Sequence, residues 1–374
     1  MMNRCKKIGF VGLFAVAASL LVLPVEAADK KPGTPCLVLV SDQDAKTPKP
    51  LEPSGMVWDG KSTLYIVSDN GQIVSIPVAD PWTTDPTQWT VLYQWVKGTD
   101  SGDKEKAEND FESVARVPGQ DDFLYVGVEG AGGTDCQGCA GSTIKEFSIS
   151  GKKFTDKLWL LGGKNMEAMT FVPDATADPE GFKGYFLTAA QNSDKLNRYD
   201  LNLKDGKTVT GKAAPTFTPK IGSATSDFQF SPGNSVFYVL YDADQAGSLP
   251  QRLDQYTKSG DAFGNFAPTN LPYSPGTEAV ADVLKDGTVD IYVGVDMSGK
   301  QRPTAKAPNR VDLYAPFPNN ANCPCAAMTS CGQIKDTSCG WCASLHRALP
   351  GAESGPTMGA CTDWIWRAKD CAKS

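Results

Sequence analysis

Short runs rich in Val, Ile, Tyr and Phe, separated by Gly, Pro and Asp, follow one another from residue 36 to residue 316. A helical period is nearly absent over this stretch, so the pattern predicts strands and turns. The runs also repeat. Five first strands open on a small or acidic residue: Ser54-Gly-Met-Val, Glu112-Ser-Val-Ala, Glu167-Ala-Met-Thr, Asp227-Phe-Gln-Phe and Glu278-Ala-Val-Ala. Second strands rich in Tyr and Val follow, ending at Asp69, Glu129, Gln191, Asp242 and Asp296. Third strands carry an aliphatic residue and, three positions on, usually an aromatic one: Ile73/Ile76, Ile144/Phe147, Leu196/Tyr199, Leu253/Tyr256 and Val311/Tyr314.

Three or four antiparallel strands in a unit of about 50 residues, repeated in series, read as an all-β chain of the β-propeller class. A β-sandwich is the competing arrangement, but it gives no reason for an acid-small-aliphatic opening to recur. A ring leaves no bare sheet edge at its seam. The isolated run Cys36-Leu-Val-Leu-Val40 is therefore expected to complete the last unit, giving five blades over residues 36–316 closed by an N-terminal strand. A sixth, degenerate blade between Asp80 and Asp110 is the alternative.

The two ends of the chain read differently. Arg4, Lys6 and Lys7 precede an apolar run from Ile8 to Val25, and Val25-Glu26-Ala27 offers a cleavage site, so residues 1–27 read as a signal peptide. An uncleaved anchor is the other reading of that run, and no later segment is apolar enough to span a membrane. The expected location is secreted or periplasmic. Cleavage removes Cys5 and leaves an even number of cysteines, as expected of disulfides in an exported chain. Seven cysteines crowd between Cys323 and Cys371, so residues 317–374 read as a small cysteine-rich module stabilised by crosslinks. A formal charge of −7 and a pI near 5.0 argue against a nucleic-acid partner. The single histidine, His346, restricts any histidine-based triad or multi-histidine zinc site to that residue.

If each first strand begins at one end of the central channel, the antiparallel second strand ends there too. Ser54, Glu112, Glu167, Asp227 and Glu278 then ring the mouth, with Asp69, Glu129, Gln191, Asp242 and Asp296 in a wider ring above, and Asn70, Asp110, Asn192 and Asp244 close by. Two carboxylates ~4 Å apart repel by about 4 kcal/mol at an effective dielectric of 20. Three resolutions exist. The acids could hold a hard divalent cation such as calcium, with Asp69, Glu112, Glu129, Glu167, Asp227, Asp242, Glu278 and Asp296 as candidate ligands. Some could be protonated, with Glu112 and Glu167 as candidate general acid or base. Or each could bond backbone amides of the neighbouring blade and serve architecture alone. Lys164 and Arg116 are candidate anchors for an anionic substrate.

Pro53-Ser-Gly-Met-Val-Trp58 with the following turn Asp69-Asn-Gly71, Asp110-Phe-Glu-Ser-Val-Ala115 and Asn165-Met-Glu-Ala-Met-Thr170 resemble the blade openings of bacterial phytase-like (esterase-like phytase) propellers. That resemblance implies an exported, metal-dependent hydrolase of phosphate esters or other esters, acting on a small anionic substrate. Family members usually have Gly after the Glu, where this chain has Ser113, Ala168 and Ala279, and such propellers are often six-bladed. The tail Ser330-Cys-Gly-Gln333 with Ser338-Cys-Gly-Trp-Cys342 is similar to the plexin-semaphorin-integrin module, with Ile334 where a cysteine is common. In that family the module follows a propeller as a spacer. This supports a second expectation, a non-catalytic extracellular protein that engages another protein or a glycan.

Three smaller signals remain in the cysteines and tryptophans. Cys136 and Cys139 read as a local disulfide or a redox pair. Cys339 and Cys342 with His346 could form a zinc site, against which a cystine-dense exported segment argues. Trp341, Trp364 and Trp366 read as the small module's core or as a partner-binding patch.

Overall fold

The computed structural model describes residues 37–40, 51–78, 89–96, 109–130, 141–163, 166–174, 183–190, 196–214, 225–232, 235–241, 252–266, 276–285, 288–296, 310–314, 325, 328, 330–334, 339–343, 347–356 and 364–373. Among them are six four-stranded sheets. Strand β1 (Leu37–Val40) is the first element. Blade one is β2 (Pro53–Trp58), β3 (Thr63–Ser68), β4 (Gln72–Pro77) and β5 (Thr90–Gln94). Blade two is β6 (Phe111–Ala115), β7 (Phe123–Val128), β8 (Thr143–Ser148) and β9 (Lys153–Leu160). Blade three is β10 (Met166–Pro173), β11 (Gly184–Ala190), β12 (Leu196–Tyr199) and β13 (Lys212–Ala213), and blade four is β14 (Thr225–Ser231), β15 (Val236–Tyr241), β16 (Arg252–Thr257) and β17 (Ala262–Phe266). Blade five is β18 (Gly276–Lys285), β19 (Thr288–Asp296) and β20 (Arg310–Tyr314) with β1 as its outer strand.

The fold is a five-bladed β-propeller. Its first strands β2, β6, β10, β14 and β18 each touch the next in turn, and β18 touches β2 to close the circle. Strand β1 pairs antiparallel with β20, Leu37 opposite Leu313 and Val40 opposite Arg310, so the N-terminal run completes the last blade as the sequence pattern predicts.

The core is divided between the blades, not within them. Tyr65, Val67, Phe111 and Leu124 fill the joint of blades one and two, and Tyr125, Trp159, Met169 and Phe186 that of blades two and three. Leu187, Phe228 and Phe237 join blades three and four, and Leu240, Val280 and Ile291 join four and five. Met56, Ile66, Ala279, Tyr292 and Leu313 seal blade five to blade one. Each sheet thus buries both faces. This is why the inner strand β10, Met-Glu-Ala-Met-Thr-Phe-Val-Pro, is buried along almost its whole length, whereas the outer strand β9 carries exposed Lys153 and Asp156. A fully buried Leu, Val or Phe contributes about 1.5–3 kcal/mol, so these joints are the main source of stability.

The sixth sheet belongs to the C-terminal region. It contains β21 (Cys339–Cys342), β22 (Arg347–Ala352), β23 (Gly355–Pro356) and β24 (Trp364–Ile365), in the order β23-β22-β21-β24. Disulfides Cys325–Cys339 and Cys331–Cys371 staple it, and Cys342 is also disulfide-bonded. Its small core includes Ile334, Trp341, Ala348 and Ile365. Gly340 is needed because a Cβ there would lie 2.3 Å from the Trp364 ring. Trp364 stacks on Trp366 at 6.3 Å. Among the described residues, no helix is long and apolar enough to cross a membrane.

Candidate functional site

All five inner strands carry an irregularity at the same place. The register slips between Pro53 and Gly55, Phe111 and Ser113, Met166 and Ala168, Thr225 and Asp227, and Thr277 and Ala279. One residue of each strand is therefore extra: Ser54, Glu112, Glu167, Ser226 and Glu278. A bulge leaves its extra residue outside the ladder and re-aims the side chain. The next position is small in four blades, Gly55, Ser113, Ala168 and Ala279, because the inner strands crowd one another there. A Cβ on Gly55 would come within 2.6 Å of the Ser113 Cα.

Three bulged glutamates and their neighbours converge on one mouth of the channel. Burial pushes the Glu112 carboxyl well up, and Glu167, Asp110, Asp69 and Glu278 push it further. Glu167 is 8% exposed and is raised to about 8, first by burial and then by Glu129 and Asp110. Among the described residues, the charges that act on these two carboxyls are all carboxylates. Asp110, Glu112 and Glu129, all half-buried, each offer an oxygen within 4.8 Å of the others. The backbone holds two of them together, since the Glu129 N–H donates to the Asp110 carbonyl at 3.1 Å.

Asp69, Glu112, Glu129, Glu167 and Glu278 are thus within electrostatic reach of the same cluster. Asp227 is not a member of the bulge ring. It stands one position beyond the bulge, where the other blades place Gly, Ser or Ala, and Ser226 takes the bulged position. Its carboxylate is fully buried and accepts the N–H groups of Phe228 and, from the next blade, Val280, both at 2.8 Å. This is the architectural role, and burial raises its carboxyl despite those two bonds. Asp296 ends β19 opposite Gly276, matching Asp69 and Glu129 in the backbone frame. Its side chain lies outside the described residues, as do Asp242, Gln191, Asn192, Asp244, Lys164, Cys136, Cys139 and His346. Arg116 is not at this mouth. It follows the end of β6, whose start carries Glu112, and its guanidinium donates to the Asp121 carbonyl at 2.9 Å.

Glu52 was missed by sequence reasoning. It precedes its bulge by two residues, as Asp110 does, and that shared offset was the available signal. Its carboxylate accepts a 2.5 Å bond from the Asn70 side chain. Ser54 takes the glutamate position in blade one and ties the same corner, donating to the Glu52 carbonyl and accepting the Asp69 N–H, both at 3.2 Å.

No family model matches the sequence, and no curated protein matches it. Solved structures similar to it include the WD40 repeats of RRP9, at 8% identity and TM-score 0.40, over 76% of this chain and 99% of that one. A luciferin-regenerating enzyme is similar at 11% identity and TM-score 0.41, over 75% and 95%. An engineered GH43 glycoside hydrolase is similar at 12% identity and TM-score 0.42, over 71% of this chain and 50% of that one.

Proposed function

We propose that the protein is an exported metal-binding hydrolase of the phytase-like kind, acting on a phosphate ester or another ester at the acidic mouth. The observation that carries the reading is the trio Asp110, Glu112 and Glu129, with oxygens within 4.8 Å of one another. The donor set is all carboxylate, which fits calcium better than a soft metal. The neighbouring carboxylates at Glu112 and Glu167 add to the repulsion, which a bound cation would relieve.

Asp110, Glu112 and Glu129 would hold the ion, with Asp69, Glu167 and Glu278 within electrostatic reach. Bound calcium would polarise a phosphoryl or ester oxygen and make a bound water more acidic. The chain's own part is proton handling and placement. Glu167, beside the trio on the neighbouring blade and ionised once a bound cation offsets the surrounding negative charge, would take a proton from the attacking water and return it to the leaving oxygen. The bulges fix these side chains on strands buried on both faces, so little reorganisation is needed.

The test is turnover of p-nitrophenyl phosphate and p-nitrophenyl acetate with and without calcium, in the wild type and in Glu167→Gln. Calcium-dependent turnover that Glu167→Gln abolishes, with calcium still bound, supports the reading. Turnover indifferent to both calcium and Glu167 removes it.

One observation favours a second reading, a non-catalytic extracellular binding protein. The C-terminal sheet has its own core, disulfide staples, and a stacked pair of half-buried tryptophans, Trp364 and Trp366. That suits a protein or glycan partner, and cell-surface binding lost on Trp366→Ala would support it.

A further inference from the structure

At the far ends of the inner strands lies a cavity of about 340 Å³, remote from the bulges. Trp58, Phe171 and Phe230 supply aromatic walls, and Asp282 supplies a carboxyl. Phe171 and Phe230 are 5% and 6% exposed and Trp58 is half-buried, so the rings are fixed in the fold with only their edges or faces open. The volume is at the lower end of small-ligand pockets, roughly 300–1,000 Å³.

The other charged groups that line this wall, Asp59, Asp121 and Arg116, are already engaged, and so is Lys258 outside the lining. Asp59 accepts the N–H groups of Lys61, Ser62 and Thr63 at 2.7–2.9 Å. Asp121 pairs with Lys61 at 3.0 Å and approaches Arg116 at 3.7 Å. Lys258 donates to the Pro173 carbonyl at 2.8 Å and lies 5.7 Å from the Phe230 ring centroid, so that ring already faces one cation. Asp282 differs. Its carboxyl is bonded to the Ser231 hydroxyl and its own N–H, burial raises it, and among the described residues no basic group acts on it. An aromatic-walled cavity with one such carboxylate matches an ammonium group on a compact apolar body.

We infer that the cavity of Trp58, Phe171, Phe230 and Asp282 binds a small organic cation, with Asp282 as the counter-charge. The site is separate from the acidic mouth and does not depend on the hydrolase reading. Between the two, Gln229 of blade four reaches across the inner strands, donating to the Val114 carbonyl of blade two at 3.3 Å and accepting from the Thr170 hydroxyl at 3.4 Å.

The test is calorimetric titration of the full chain in chelator with phenethylammonium, the neutral 2-phenylethanol and the anionic phenylacetate. The cation should bind more tightly than either by about tenfold or more, which corresponds to about 1.4 kcal/mol. Asp282→Asn should abolish that preference, and Glu112→Gln/Glu167→Gln should keep it. Equal binding of cation and alcohol by the wild type, preference for phenylacetate, no binding at all, or loss of the preference only in the double glutamine variant would each overturn the inference. The wild-type comparison stands even if Asp282→Asn fails to fold.

Discussion

The two mouths of the channel are built from the same five strands, yet, Asp282 apart, they treat charge in opposite ways. At the far mouth Asp59 is bonded to three backbone amides and Asp121 to Lys61. At the bulged mouth the charged neighbours of Glu112 and Glu167 among the described residues are carboxylates. Burial of acids alone does not explain the difference. Glu146 is nearly fully buried in blade two, and there Lys157 at 3.1 Å and Thr155 at 3.0 Å hold it. The fold can therefore neutralise a buried acid where structure alone is at stake. Asp227, one residue past a bulge, shows how little displacement separates a tie between blades from a member of the charged cluster.

That contrast can be broken or sharpened by experiment, and the largest effect concerns pH. Glu167 has a folded value of about 8 against an ordinary 4.5, so the folded chain binds the extra proton between those values. Its stabilising contribution is complete below about pH 4.5 and is lost as pH rises through about 8. Glu167 alone should cost calcium-free protein about 1.4 kcal/mol per pH unit across that window, roughly 5 kcal/mol in all, and the raised Glu112 acts in the same direction. Calcium should flatten the slope, as read by urea unfolding at a series of pH values. A slope that is flat without calcium would contradict the crowding.

Next in size, Asp227→Ala should destabilise by about 3 kcal/mol, because two buried amides lose their acceptor. Calcium binding should survive in that variant, since Asp227 belongs to the architecture. Gly55→Ala should come third, at about 2 kcal/mol, because its Cβ meets the neighbouring inner strand. Gln229→Ala should be smallest, about 1 kcal/mol, by removing the tie between blades four and two. Thermal melts rank these three, and a Gly55→Ala variant as stable as the wild type would show that the inner strands are not packed this closely.

Much of the architecture was legible because each blade repeats the same strand types and the run 36–40 had an obvious vacancy to fill. The bulges were not legible. Thr225-Ser-Asp-Phe can be aligned with its acid or its serine on Glu112, and only the pairing of Asp227 with Leu240 decides for the serine. Asp110 was noticed beside the rings, but its place in the trio depends on the ladder end at Glu129. The far cavity left no signal, because Trp58, Phe171 and Phe230 come from three blades and each reads as an ordinary core aromatic.

Isothermal titration of calcium into metal-free protein, beside the Glu112→Gln/Glu167→Gln variant, tests the acidic mouth most directly. The account predicts saturable binding by the wild type that the two substitutions abolish. Equal affinity in both proteins, or no binding by the wild type, would contradict it.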